Sequence, residues 1–147
     1  MSVAINPLNA LLNSAESIRE ALGESIDNLE LAIEKEATAR RVAKETRENY
    51  DAIVAEWDAE AMNRDRSVTN GDGKPKSPTV DQIKALVAAE RVVAQRQGVL
   101  AKPLAMMNAA GYDHEDAKMA LEQASKRFRA TEAAADLTAA MLRAASR

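Results

Sequence analysis

The chain has no cysteine, which excludes disulfides and thiolate metal sites outright. Its single histidine, His114, cannot by itself supply the multi-histidine ligand sets that transition metals favour. Aromatic residues are almost missing as well: one Trp, two Tyr and one Phe in 147 residues. Five Gly and four Pro sit between long uninterrupted runs, so they punctuate the chain and do not pervade it. Nowhere do eighteen apolar residues run without a charge, and no membrane insertion is expected. No basic residue precedes Arg19 and no secretory pattern is visible. The expected location is therefore the cytoplasm or a particle assembled inside the cell.

What the chain does contain is alanine, 31 residues of it, together with Leu, Glu, Lys, Arg and Met. These are the strong helix formers, and their dominance points to an all-α protein. The net charge of −3 comes from 20 basic and 23 acidic residues, well interspersed. Such a balance gives no bulk attraction to nucleic acid or to an anionic membrane. The length suits one domain.

Asn6-Pro7 is a good helix start, because Asn caps free N–H groups and Pro suits the first helical position. Leu8, Leu11, Leu12, Ala15, Ile18 and Leu22 then share one face, and Gly23 closes a helix over 7–22. Ser25 can cap a second helix of about 40 residues, 25–64, which must lean on something along its length. Its seam runs at alternating steps of three and four: Leu29, Ala32, Glu36, Ala39, Ala43, Thr46, Tyr50, Ile53, Trp57, Glu60. Glu36 and Glu60 interrupt that stripe.

A polar turn follows over 66–78. Thr79 and Gln82 form a capping box for a helix over 79–102, whose apolar residues occupy more than one face. Pro103 stops or kinks it. A short piece, 104–110, closes at Gly111, and Asp113-His114-Glu115-Asp116 opens a last helix over 113–145. Leu121, Ala124, Phe128, Thr131, Ala135, Thr138 and Leu142 repeat the seam step there. The architecture expected is a single domain: an elongated antiparallel helical bundle, or coiled-coil hairpin, around one long helix.

Sites of chemistry are hard to find. "NGDGK" (70–74) resembles the middle of a calcium loop, but that register puts Val68 first and Thr79 twelfth, where carboxylates are needed. A phosphate loop fails too, since Pro75 follows Lys74 where Ser or Thr belongs. Turn chemistry accounts for the stretch: Asn-Gly and Asp-Gly reverse a chain cheaply. His114 among Asp113, Glu115 and Asp116 reads as a helix start, so no metal is expected. Glu56 with Glu60, and Glu30 with Glu34, share helix faces, yet no nucleophile or base accompanies them. The Glu-x-x-His motif of di-metal bundles is absent. No catalytic residue and no cofactor is expected.

Two surfaces stand out. Arg40, Arg41, Lys44 and Arg47 cluster on the long helix, as Lys126, Arg127 and Arg129 do around Phe128. Glu36, Glu45 and Glu48 lie at ion-pair spacing from the first cluster, which favours a charge-laced solvent face and leaves nucleic-acid contact as the alternative. Tyr50, Ile53 and Trp57 form the only aromatic concentration on the long helix, suited to core or interface. With Leu29, Leu121, Phe128 and Leu142 they make up the expected seam or protein interface. The functional expectation is a non-enzymatic helical assembly or adaptor protein, working through coiled-coil contacts with itself or a partner. Small parts of phage or secretion assemblies have this profile. Nucleic-acid binding or regulation ranks second, and a helical enzyme or ligand sensor third.

Overall fold

The computed structural model describes residues 6–69, 71, 73 and 75–147, with Val68, Thr69 and Pro75 as backbone only. Three helices dominate: α1 (Pro7–Met62, 56 residues), α2 (Val80–Gln97, 18 residues) and α3 (Ala101–Ala145, 45 residues). A two-residue antiparallel ladder, β1 (Val68–Thr69) with β2 (Pro75–Lys76), lies between α1 and α2. The chain is an all-α protein with a long helix, longer than the sequence suggests.

The starts behave as their residues dictate. Leu8 N–H donates to Asn6 Oδ1 at 3.0 Å, with Pro7 in the first helical position. Thr79 Oγ1 accepts from Gln82 N–H while Gln82 Oε1 accepts from Thr79 N–H, which completes the capping box.

The interior breaks do not behave as expected. Gly23 and Gly111 stay helical, so the expected pieces 7–22 and 25–64 merge, as do 104–110 and 113–145. One glycine costs a helix only about 1 kcal/mol. Ending and restarting would leave up to eight backbone groups seeking new partners. The acidic run Asp113–Asp116 is therefore interior to α3, not its start. Pro103 does not stop a helix either. It is the third residue of α3, in the first turn, where no i−4 bond is lost.

The real corner is Gly98. α2 ends at Gln97, and Ala94 O accepts from both Gly98 and Leu100 N–H groups at 3.0 and 3.2 Å. A Cβ on Gly98 would lie 2.8 Å from Ala94 Cα, so the backbones can approach this closely only at glycine. Leu100, two residues on, is fully buried.

Of the "NGDGK" stretch, Asn70, Asp72 and Lys74 lie outside the described residues. Gly73 has φ of +78°, the left-handed conformation glycine tolerates, and the ladder on either side pairs Val68 with Lys76.

The chain's contacts divide into two compact units: Met1–Ala39 with His114–Arg147, and Arg40–Asp113. The first is an antiparallel hairpin of α1 and α3. Leu22 and Ile18 share a groove with Ala135, Thr138 and Leu142, Ser25 meets Thr131, and Glu36 meets His114. The second holds the end of α1, all of α2 and the start of α3.

Burial follows the three-four step closely. On α1 the less exposed residues are Leu11, Ala15, Ile18, Leu22, Ser25, Leu29, Ala32, Glu36, Ala39, Ala43, Thr46 and Tyr50. On α3 they include His114, Ala117, Leu121, Ala124, Phe128, Thr131, Ala135, Thr138 and Leu142. After Tyr50 the stripe shifts by one residue to Val54, Trp57 and Ala61. Ile53 (40% exposed) and Glu60, which the sequence places in the seam, are outside it. A strict seven-residue repeat drifts about 20° per repeat around a 3.6-residue helix, and a four-four step resets it.

Candidate functional site

In the Arg40–Asp113 unit, polar ties hold α1 against α2. Gln95 Nε2 donates to the hydroxyl of buried Tyr50 at 2.8 Å. Arg91 grips Asp58 with two bonds, Nε to Oδ1 at 2.9 Å and Nη2 to Oδ2 at 2.6 Å. Arg66 makes the densest arrangement. Its Nε and Nη2 donate to Ala61 O at the end of α1, and Nη1 and Nη2 donate to the two Glu90 oxygens at 2.6 and 2.8 Å. The Arg66 side chain is 9% exposed, and Arg64 approaches Glu90 to 3.8 Å. The hydrogen bonds from Arg66, with the positive charge of Arg66 and Arg64, hold the Glu90 carboxyl below the usual carboxylate range despite its partial burial. The same bonds push the Arg66 guanidinium up. The result is a satisfied structural clamp on the Ala61 carbonyl in the last turn of α1, whose backbone partner is a long bond from Arg64 N–H at 3.4 Å.

In the hairpin unit the seam carries two polar layers. Ser25 Oγ and Thr131 Oγ1 are 3.4 Å apart, and His114 Nε2 lies 3.0 Å from Glu36 Oε1. Both members of the second pair are mostly covered, at 16 and 14% exposure. The lone histidine thus meets a carboxylate across the seam. The acid that interrupts the stripe of α1 has its partner on α3. Among the described residues no group of three or more His, Asp or Glu gathers as a metal site would.

The expected seam residues lie as follows. Leu29, Leu121, Phe128 and Leu142 are half-buried in the hairpin, Leu142 beside Ile18 and Leu22. Tyr50 is buried, Trp57 half-buried and Ile53 exposed. Arg40, Arg41, Lys44 and Arg47 are all exposed. Lys44 reaches Glu48 at 4.0 Å, while Glu36 turns to His114. Lys126 pairs with Glu122 at 3.1 Å beside the half-buried Phe128.

Two grooves flank the hairpin seam. One, of about 220 Å³, is lined by Ala15, Ile18, Leu22 and, on α3, Ala135, Thr138 and Leu142. The other, of about 600 Å³, is floored by Ala32, Ala117, Ala120 and Ala124, with Leu31 on one wall. Alanine at these positions makes the grooves: each side chain stops at Cβ, so the furrow between helices is left unfilled. The sequence shows the alanines, but only the pairing of α1 with α3 brings both sets to one side.

No family model matches the chain, and no curated protein or solved structure is significantly similar to it.

Proposed function

We propose that this protein is a non-enzymatic helical assembly or adaptor protein, acting through coiled-coil contacts of its helix faces with itself or with a partner protein. The observation that carries the reading is the hairpin's unfinished interior. Among its described residues only Thr138 is buried, while Leu12, Ile26, Leu31, Ile33 and Leu137 stand 39 to 63% exposed. Two helices can bury a seam but not enclose it, and apolar surface left in water favours association. A small part of a larger intracellular particle, such as a phage or secretion assembly, is the setting this profile fits.

Light scattering after size exclusion, paired with amide hydrogen exchange, tests the reading. Association, or a hairpin whose amides exchange fast until a partner is added, is expected. A strictly monomeric protein over a wide concentration range, with residues 7–39 and 114–145 as protected as 40–97, would overturn it.

One observation favours a second reading, nucleic-acid contact. Arg40, Arg41, Lys44 and Arg47 are all exposed and fall within about a third of the helix circumference. Binding that weakens steeply with salt and is lost on neutralising these four would establish it. No shift of DNA or RNA at low salt would end it.

A further inference from the structure

The hairpin's two helices carry the same charge pattern on the face of the larger groove. Along α1, at steps of four, three and four, stand Glu24, Asn28, Leu31 and Lys35. Along α3, at the same steps, stand Asp116, Ala120, Gln123 and Arg127. Each stripe begins with an acid and ends with a base about three turns later. All eight residues are exposed, and seven of them line the groove, Glu24 lying one turn beyond Asn28. Among the described residues, none of the four charges forms an ion pair, although Lys118 and Lys126 on the same helix find Glu115 and Glu122.

A stripe that is acidic at one end and basic at the other complements itself when reversed. Rotating a copy by 180° about an axis across the groove, midway along each stripe, lays α3 antiparallel on α3 and α1 antiparallel on α1. Asp116 then faces Arg127 of the second copy, and Glu24 faces Lys35 of the second copy, each twice. Ala120 faces Gln123 of the second copy on either side of the axis, which leaves each within one turn of its own counterpart, with Ala117 and Ala124 beside them. Small residues there let the α3 axes approach toward the low end of the usual 8–10 Å, about 8 Å. Leu31, 48% exposed near the middle of its stripe, faces Asn28 of the second copy and lies within one turn of its own counterpart on the α1 side. Every contact is isologous, as a two-fold requires.

We infer that the larger groove of the hairpin is the dimer interface of this protein: a second copy packs on it antiparallel, closing a four-helix bundle with Asp116–Arg127 and Glu24–Lys35 pairs between chains. The inference rests on the assembly reading above and names its partner as the chain itself. The covered groove supplies the enclosed interior that two helices lack.

The absence of cysteine makes a direct test available. Under mild oxidation, Gln123→Cys is expected to form a covalent dimer on its own. Asp116→Cys and Arg127→Cys are expected to cross-link to each other when mixed and not each to itself. Asp116→Arg and Arg127→Asp, both at exposed positions, should each raise the dimer Kd about tenfold or more, and the double swap should restore it. Circular dichroism of each variant checks that the helices are kept. A dimer by light scattering that gives none of these cross-links and no rescue would overturn this interface and leave the assembly reading standing. A cross-link between Gln123→Cys and Leu31→Cys, but not between two Gln123→Cys chains, would place α1 on α3 of the second copy and overturn it too. A monomer at every concentration would also overturn the inference, and, if its hairpin is fully protected, the assembly reading with it.

Discussion

All six buried apolar residues of the described structure, Tyr50, Ala61, Val87, Ala94, Leu100 and Ala110, belong to the Arg40–Asp113 unit. Among its described residues the hairpin has one that is buried, Thr138, and it is polar. The two units draw on the same helices and the same seam step, so the difference does not come from composition or periodicity. It comes from the number of helical segments. Where α2 joins α1 and the start of α3, a side chain can be covered from three directions. Where α1 and α3 are alone, a seam residue is covered by its partner and left open on both flanks. The polar devices differ accordingly. The three-segment unit uses bidentate Arg–carboxylate grips at its rim, Arg91–Asp58 and Arg66–Glu90. The hairpin sets its polar pairs, Glu36–His114 and Ser25–Thr131, inside the seam. Polar pairs in a seam disfavour any shifted register, because a slip leaves each group facing an apolar neighbour.

The comparison can be broken most forcefully at Leu100. Leu100→Ala removes the largest fully buried side chain among the described residues and is expected to cost roughly 2–5 kcal/mol in denaturant unfolding. Hydrogen exchange should show the lost protection within residues 40–113. Next is Gly98→Val, which drives a branched side chain against the Ala94 backbone. A cost of about 1–3 kcal/mol is expected, with the α2–α3 corner loosened first.

In the hairpin, Glu36→Leu and His114→Leu each strand a covered polar group, at about 1–3 kcal/mol. The double variant is expected to be near neutral or better in a double-mutant cycle, because it removes both partners. Additive losses would show that the pair is not coupled. The smallest effect concerns acid. The folded-state pKa of Glu90 lies below its unfolded value, so its stabilisation is in place above the ordinary carboxylate range. It is lost as pH falls through the folded value. Melting midpoints followed from neutral into acid should decline more gently for Glu90→Gln than for the native protein, while the Glu36 variants should leave that difference unchanged.

Much of the fold was legible. The seam of α3 from Leu121 to Leu142 and that of α1 from Leu29 to Tyr50 stand where the three-four spacing puts them, as do the Asn6 and Thr79 caps. Interior boundaries were not. Gly23 and Gly111 looked like ends because glycine is a poor helix former, but a local preference of about 1 kcal/mol yields to a continuous seam. The shift at Tyr50, which moves burial from Ile53 to Val54, was hidden because both residues are apolar and β-branched. The polar pairs had no local signal. Glu36 and His114 are 78 positions apart, and only the packing of α1 on α3 makes them neighbours.

The sequence by itself determined that this chain is helical, where α1 and α2 begin and which stripe is covered along α1 from Leu29 to Tyr50 and along α3 from Leu121 to Leu142. Those properties depend on residues within a turn or two of one another, so spacing and caps are enough to read them. The tertiary structure alone decided that α2 turns back at Gly98 to build a core in one unit, and that the hairpin is left with two open flanks. Those outcomes depend on which distant segments meet and at what register, and the energies that choose among registers exist only once the helices are side by side.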